Sequence, residues 1–240
     1  MAHSPGSDDT RPESETQRSY RRRIGLFLGA ALVTVGLLGA ALWTAGALRA
    51  ADAVEAERDL WQRPADVIRA LDVGKGALVA DLGSGVGYFA LKLAERVGPS
   101  GRVLAVDVRS FPLLFLRLRA LRRGTRNLTV VRGEGGNPHL PASGVDGILV
   151  ANTFHELEDA DAILGHAREA LRPGGRLVVV DPEPDGAGPG PPRQGLHHHT
   201  SPGQAQSRIL AAGLEIVTRD DAFVDDPGRG RWWLIVARRP

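Results

Sequence analysis

The stretch that decides the fold is Ala77-Leu78-Val79-Ala80-Asp81-Leu82-Gly83-Ser84-Gly85-Val86-Gly87, continued by Tyr88-Phe89-Ala90-Leu91-Lys92-Leu93. An apolar run, a glycine-rich segment and a second apolar run predict a buried strand, a tight turn and the start of a helix. Glycine allows positive φ angles and lets a ligand come close to bare backbone. The first N–H groups of the next helix point into the same space. The turn is therefore predicted to hold a nucleotide-like molecule.

The spacing of the glycines distinguishes two kinds of nucleotide-binding turn. A dinucleotide-binding turn has the pattern G-x-G-x-x-G, with the pyrophosphate at the helix N-terminus. This chain has G-x-G-x-G at Gly83, Gly85 and Gly87, and the carboxylate of Asp81 lies two residues before the first glycine. That carboxylate favours a ligand with a positive group over one with phosphates. A tight turn with no ligand is the alternative.

The same stretch resembles the first motif of the class I S-adenosylmethionine (SAM) dependent methyltransferases. The resemblance implies that the acidic residue and the turn hold the aminoacyl end of SAM, the expected cofactor. It also implies an α/β fold with a Rossmann-like seven-stranded sheet, over residues 59–240. The implied cofactor-binding residues of the first motif are Asp81, Gly83, Ser84, Gly85 and Gly87.

A second candidate ligand-binding carboxylate, Asp107, follows the predicted strand Arg102 to Val106. Ligands of doubly wound folds lie beyond the carboxyl ends of the strands, so a carboxylate there can accept hydrogen bonds from both ribose hydroxyls. A turn or helix-capping aspartate is the alternative. Dehydrogenases of the same fold class need this acid too, so Asp107 does not separate the two enzyme classes.

Three later segments resemble the methyltransferase pattern in the family's order. Glu134 follows the predicted strand Leu128 to Val131 and matches the acid that meets the adenine amino group, although that family position is more often aspartate. Asp146 opens the next strand and is expected to be structural. The corner after that strand matches positions near SAM and its substrate, and Leu171 to Leu177 resembles the turn before strand five.

The corner after strand four carries the candidate catalytic residues, His155 and Glu156, and a further cofactor contact, Asn152. The unperturbed pKa of histidine lies near neutrality, so His155 can take a proton from an acceptor hydroxyl or amine. Alternatively it only packs beneath the cofactor, because methyl transfer often needs little more than proximity and in-line alignment.

No metal and no nucleic-acid partner are expected. The chain has no cysteine, and its net charge of +2 is too near balance to indicate nucleic acid. His197, His198 and His199 are consecutive, so they cannot all aim at one ion from a regular element. A substrate-pocket role for this region is the better guess, and the proline- and glycine-rich stretch Pro182 to Gly195 before it is expected to form a lid or substrate loop.

The N-terminal part of the chain predicts a membrane anchor. Residues 1–23 are polar, with a basic end, and are predicted to be disordered. Residues 24–48 hold no charge and are long enough to cross the ~30 Å hydrocarbon core as a helix; a cleaved signal peptide or a buried helix is the alternative. Gly25 and Gly29 form a G-x-x-x-G pair through which two copies could pair as a homodimer.

Residues 49–58 read as a charged juncture between this segment and the domain. The lead-in that follows it, Arg58-Asp59-Leu60-Trp61-Gln62-Arg63-Pro64, is similar to that of a bacterial methyltransferase subgroup with an arginine, a W-Q pair and a proline before the SAM domain.

Two arguments disagree about the side of the membrane on which the domain lies. The N-terminal flank of the apolar segment holds a cluster of four arginines and the C-terminal flank holds three, and positive flanks stay in the cytoplasm, which puts the domain outside. SAM, however, is made in the cytoplasm. Because the difference is a single arginine, cofactor supply is the stronger constraint, and we predict a cytoplasmic domain on a single-pass anchor. The arginines are Arg18, Arg21, Arg22 and Arg23 on one side and Arg49, Arg58 and Arg63 on the other.

The segment Phe111 to Arg123 predicts a basic amphipathic helix. Its apolar side, with Leu114, Phe115, Leu118 and Leu121, is expected to cover the sheet while the arginines face solvent. The alternative is a helix that lies on anionic lipid.

The function expected from these features is transfer of the SAM methyl group to an unidentified O, N, S or C nucleophile by direct displacement. A membrane-tethered domain that binds SAM or another nucleoside without turnover is the alternative. A nicotinamide oxidoreductase fits less well, because the glycine spacing is wrong for it.

Overall fold

The structure is a computed structural model that describes residues 15–183 and 200–240, with side chains described from residue 32 onward. Most of the predicted lid and the three consecutive histidines lie outside the described residues. The chain divides into two compact units, residues 1–54 and 55–240. The second unit therefore begins four residues before the predicted domain start.

The first unit consists, in its described part, of one long helix, α1 (Glu15–Trp61), whose last turns belong to the second unit. Residues 15–23 are helical rather than disordered as predicted, because Glu, Gln and Arg favour helix and no proline follows Pro12 until Pro64. Residues 49–58 continue the same helix into the second unit. Within the described residues, one helix is long and apolar enough to cross a membrane; it covers Leu32–Trp61 and contains an 18-residue window with a mean hydropathy of 1.5.

The second unit is a seven-stranded sheet with the strand order β3-β2-β1-β4-β5-β7-β6. The first five strands are parallel, and β7 pairs antiparallel with both β5 and β6. This is the predicted fold class. The elements are α2 (Pro64–Ala70), β1 (Leu78–Leu82), α3 (Tyr88–Val97), β2 (Arg102–Asp107), α4 (Ser110–Arg122), β3 (Leu128–Arg132), β4 (Val145–Ala151), a 3₁₀ turn (Phe154–Glu156), α5 (Ala160–Ala170), β5 (Leu171–Pro182), α6 (Pro202–Ala211), β6 (Glu215–Asp226) and β7 (Gly230–Arg238).

Helices cover both faces of the sheet and bury a core on each. On one face α2, α3 and α4 pack on the strands, and on the other face α5 and α6 do so. Strand β1 lies at the centre, between β2 and β4. The strand order reverses between β1 and β4, and in open α/β sheets ligands bind in the crevice at such a reversal, beyond the carboxyl ends of the strands.

Strand β5 begins earlier than the sequence predicted. Leu171 already pairs with Val145 of β4, and the register shifts before Gly147 pairs with Arg176. The predicted turn at residues 173–175 is therefore an irregularity inside the strand. Asp146 lies at this shift, where its carboxylate accepts a hydrogen bond from the Leu78 backbone N–H at 2.7 Å and pairs with Arg172. These contacts agree with the structural role expected for Asp146.

Helix α4 buries a different face from the one that the sequence predicted. The sequence assigned Leu114, Phe115, Leu118 and Leu121 to the sheet, but the residues buried on α4 are Leu113, Leu116, Arg119 and Ala120. The reason is Arg119, which is fully buried: its guanidinium pairs with Glu55 of α1 at 2.6 Å and donates a hydrogen bond to the Val86 carbonyl at 2.7 Å. An arginine with partners for its charge can occupy a buried position that a hydrophobic pattern assigns to leucine.

Candidate cofactor site and catalytic corner

The glycine turn after β1 is held by backbone hydrogen bonds to the neighbouring strand. The N–H groups of Gly83 and Ser84 both donate to the Val106 carbonyl at 2.9 Å, and the N–H of Gly87 donates to the Ser84 carbonyl at 2.8 Å. The backbone has φ of +74° at Gly83 and +52° at Gly85, angles that side chains with a Cβ rarely adopt. Gly87 then caps α3. The turn therefore has the predicted strand–turn–helix geometry.

Open space lies in front of this turn at Gly85 but not at Gly83. A Cβ added at Gly85 would meet no atom within 4 Å, whereas one at Gly83 would lie 2.2 Å from the Thr153 side chain. Two buried polar atoms beside the turn, the Ser84 Oγ and one carboxylate oxygen of Asp81, have no hydrogen-bond partner within the described part of the chain. Buried polar atoms without a partner, next to open space at a glycine turn, are typical of a site that binds a polar ligand.

Asp107 braces the turn and also lines the space in front of it. Its Oδ2 accepts a hydrogen bond from the Gly85 N–H at 2.9 Å, and its Oδ1 accepts one from the Arg109 N–H at 2.8 Å. The Arg109 guanidinium lies 3.2 Å from the same carboxylate, which raises the pKa of Arg109. The turn contact that was the alternative for Asp107 is therefore present, and it is compatible with a ligand contact because each carboxylate oxygen accepts more than one hydrogen bond.

A cavity of about 180 Å³ lies at the carboxyl ends of β1, β2 and β4. It is lined by Gly83, Asp107, Glu134, Thr153 and Glu156, among others. Glu134 is exposed at the rim, where its carboxylate lies 3.4 Å from the His139 ring. Asn152 is exposed and, with a φ of +53°, lies next to the lining residue Thr153 without lining the cavity itself.

A larger cavity, of about 340 Å³, lies between α2 and the strands β6 and β7. Its two arginines are already paired, Arg63 with Asp66 and Arg176 with Asp72. It shares no lining residue with the cavity at the glycine turn. We therefore assign the candidate functional site to the smaller cavity.

Asp81 is buried behind the turn, and its burial raises the pKa of its carboxyl to about 7. The N–H of Ala90 and the positive charge of Arg58 oppose this rise, and the carboxylate of Asp107 adds to it. The carboxyl is therefore close to half ionised at neutral pH. A cation that bound next to it would favour its ionised form.

The catalytic corner contains a buried histidine–aspartate pair. The His155 Nδ1 lies 2.9 Å from an Asp181 carboxylate oxygen, and the backbone N–H of His155 donates to the same oxygen at 2.9 Å. The His155 Nε2 lies 3.8 Å from the exposed carboxylate of Glu156, which lines the cavity, while His155 itself does not. Burial raises the pKa of Asp181, against the effect of His155.

Sequence reasoning named His155 and Glu156 but missed Asp181. Asp181 lies near the carboxyl end of β5, the neighbour of β4, so its side chain reaches the corner that follows β4. A signal for it was present in the sequence. An aspartate at the carboxyl end of a buried parallel strand is the same feature that pointed to Asp107.

Comparison with known proteins shows that this chain is similar to methyltransferases. Residues 79–175 match the family model described as a methyltransferase domain. The chain is 30% identical over 134 residues to the nocamycin O-methyltransferase of Saccharothrix syringae, covering 56% of this chain and 47% of that protein. It is 32% identical over 123 residues to a ubiquinone/menaquinone biosynthesis C-methyltransferase of Hahella chejuensis, covering 51% and 49%. The chain thus spans about half the length of these curated relatives.

A solved structure matches the fold over a larger share of the chain. The crystal structure of a SAM-dependent methyltransferase from Aquifex aeolicus has a TM-score of 0.66 and 23% identity, covering 76% of this chain and 92% of that one. The predicted Rossmann-like methyltransferase fold is confirmed by this match. The family resemblance read from the sequence is confirmed by the match of residues 79–175.

Proposed function

We propose that this chain, whose residues 79–175 match the family model of a methyltransferase domain, transfers the methyl group of SAM to a nucleophilic acceptor. The observation that carries the proposal is the open space at Gly85, where an added Cβ would meet no atom within 4 Å, together with the nearby carboxylates of Asp81 and Asp107. A glycine turn with these acids fits a ligand that has a positive aminoacyl end and a ribose.

The described residues fit SAM in three parts. Asp81 and the Ser84 hydroxyl, each with an unpaired buried oxygen, would hold the aminoacyl end behind the turn. Asp107 would accept hydrogen bonds from the ribose. The cavity that continues to Glu134 has a volume of about 180 Å³, below the ~300–1,000 Å³ of pockets that enclose a whole drug-sized ligand, so it would take only the nucleoside end.

When bound, SAM would supply an activated methyl group, which the acceptor would take by direct displacement of the sulfur, with S-adenosylhomocysteine as the leaving group. The contribution of the chain is alignment of the acceptor with that methyl group, together with removal of the acceptor's proton where it has one. Oxygen is the acceptor atom in the name of one relative and carbon in that of another. The acceptor of this chain is therefore proposed only as a nucleophilic atom brought next to the corner of His155 and Glu156.

Asp107→Ala tests the placement of the ribose. We expect the affinity for S-adenosylhomocysteine to fall by about 1.5–3 kcal/mol, the worth of hydrogen bonds to a charged group. Calorimetric titration of the full chain in detergent measures this change. Because Asp107 also accepts a hydrogen bond from the Gly85 N–H, Asp107→Asn serves as the matched variant. It keeps an acceptor oxygen for the turn but loses the charge, so we expect an intermediate loss of affinity for S-adenosylhomocysteine.

An unchanged affinity in Asp107→Ala would remove this placement of the ribose. NAD serves as the control ligand in the same titration. Tighter binding of NAD than of S-adenosylhomocysteine would contradict the methyltransferase proposal itself.

The pH dependence of binding tests the role of Asp81. Its pKa of about 7 means that raising the pH from 6 to 8 ionises the carboxyl and creates the negative charge that a cationic amino group requires. We expect the affinity for S-adenosylhomocysteine to rise up to about tenfold over this range, because each pH unit below the pKa reduces the ionised fraction. In Asp81→Asn this rise should be absent. A rise of equal size in both proteins would assign it to another group.

We also propose that α1 anchors the chain in a membrane as a single pass, with the domain in the cytoplasm. The support is the unburied apolar window within Leu32–Trp61 and the need of the enzyme for cytoplasmic SAM. A homodimer through Gly25 and Gly29 remains part of this proposal. We expect a reporter fused after Pro240 to be active in the cytoplasm. Activity only outside the cytoplasm would overturn this orientation and favour a domain that binds without turnover.

A further inference from the structure

Helix α4 presents a stripe of large apolar side chains to solvent. Phe111, Leu114, Leu118 and Leu121 recur three or four residues apart, so they share one side of the helix, opposite the buried Leu113, Leu116 and Ala120. Phe111 is 68% exposed and Leu121 is 79% exposed. Exposed apolar residues are normal when they occur singly, whereas a contiguous set marks an interaction site. We call these four residues the α4 stripe.

The charges on α4 favour a negatively charged partner. The helix holds three arginines, Arg117, Arg119 and Arg122, and no acidic residue. Arg119 is buried, while Arg117 and Arg122 are exposed and lie on either side of the α4 stripe. Large apolar side chains with basic residues beside them are the pattern of helices that lie in the interface of a bilayer with anionic lipids.

The α4 stripe is also tied to the segment that would enter the membrane. Glu55 of α1 pairs with Arg119 at 2.6 Å and with Arg123, directly after α4, at 2.7 Å. Glu55 lies seven positions after Leu48, the end of the uncharged segment, and even a fully extended chain of that length spans at most ~25 Å. α4 is therefore held at a residue that cannot move far from the membrane surface.

We propose that the α4 stripe is a second membrane contact, at which Phe111, Leu114, Leu118 and Leu121 enter the interface of an anionic bilayer and the flanking arginines meet its headgroups. The contact rests on the anchor proposed above and not on methyl transfer. A tethered domain pays little additional entropy for a second contact, because its effective concentration at the surface is already high. A weak apolar stripe is then sufficient.

The natural absence of cysteine allows a direct test. The variants Leu118→Cys and Leu121→Cys are labelled with an environment-sensitive fluorophore, and the full chain is reconstituted in vesicles of phosphatidylcholine and phosphatidylglycerol that carry doxyl-labelled lipid. Leu210→Cys on α6 is the matched control, because Leu210 is an exposed leucine on another helix of the same domain. Trp43→Cys reports the anchor itself. We expect several-fold stronger quenching at positions 118 and 121 than at 210.

Each other outcome overturns the proposal. Quenching at Trp43→Cys but not at positions 118 and 121 would leave the anchor in place and remove the second contact. Absence of quenching at Trp43→Cys would remove both. Energy transfer between labels at position 121 on two copies, without lipid quenching, would assign the stripe to a second copy of the chain. Titration of S-adenosylhomocysteine in the same samples reports separately on the cofactor site.

Arg117→Glu tests the anionic part of the contact. We expect it to reduce quenching at position 121 in vesicles with phosphatidylglycerol and to leave it unchanged in vesicles of phosphatidylcholine alone. An equal effect in both lipids would show that headgroup charge plays no part.

Discussion

Gly83→Ala is expected to destabilise the domain by about 2–5 kcal/mol, the sum of a strained left-handed residue and an overpacked contact. The backbone has a φ of +74° there, and the added methyl group would lie 2.2 Å from the Oγ1 and Cγ2 of Thr153 and 2.7 Å from its Cβ. Rotation of the threonine side chain cannot relieve a contact with its Cβ, so the loop after β4 must move. Chemical denaturation followed by circular dichroism measures the loss.

Gly85→Ala is the matched control for this variant. It adds the same methyl group at a φ of +52°, but no atom lies within 4 Å, so we expect only the backbone strain of about 1–2 kcal/mol. The methyl group would instead occupy the space proposed for SAM. We therefore expect Gly85→Ala to fold and to lose affinity for S-adenosylhomocysteine at least tenfold. Normal binding by Gly85→Ala would mean that the ligand does not use this space.

His155→Ala is expected to lower turnover about 10²-fold or more while leaving the affinity for S-adenosylhomocysteine nearly intact. The carboxylate of Asp181 lies 2.9 Å from the His155 Nδ1 and favours the tautomer with the proton on that atom. The basic lone pair then lies on Nε2, 3.8 Å from the carboxylate of Glu156, which lines the cavity. Single-turnover rates with a methyl acceptor, once one has been found by screening, measure the effect.

His155→Asn separates a base from a packing residue. The asparagine amide can still donate a hydrogen bond to Asp181 but cannot take a proton, so a general base predicts loss of turnover in both variants. Full turnover in His155→Asn would leave alignment alone as the mechanism. His166→Ala, a change at an exposed histidine on α5, controls for general effects of removing an imidazole.

The sequence predicted those parts of the molecule that depend on local pattern. The succession of strands along the chain, the glycine turn and the position of Asp107 at the end of a strand could all be read from short segments. In these segments apolar runs, glycines and acidic residues follow one another in a recognisable order. In parallel sheets these local features also determine the site, because the carboxyl ends of neighbouring strands meet at one edge. The family resemblance supplied the seven-stranded sheet, which pattern alone does not determine.

The parts that the sequence did not predict depend on contacts between distant residues. Arg119 is buried because Glu55, sixty-four positions earlier, reaches it, and no periodicity in α4 contains that information. Because Arg119 occupies the buried face of α4, the α4 stripe is exposed to solvent. Asp181 likewise gains its role from His155 across the sheet. Where a buried charged residue has a partner far away in the sequence, the hydrophobic pattern of its helix predicts the wrong buried face.

The contact between Glu55, Arg119 and the Val86 carbonyl also decides where the chain can be shortened. A soluble version that starts at Asp59, the first residue of the domain as the sequence suggested, would lack Glu55, the carboxylate that pairs with the buried Arg119, and breaking such a buried pair costs about 3–5 kcal/mol. Because Arg119 also holds Val86, the damage would fall on the cofactor turn. A version that starts near Ala50 keeps Glu55, so the last turns of α1 serve as the first structural element of the domain.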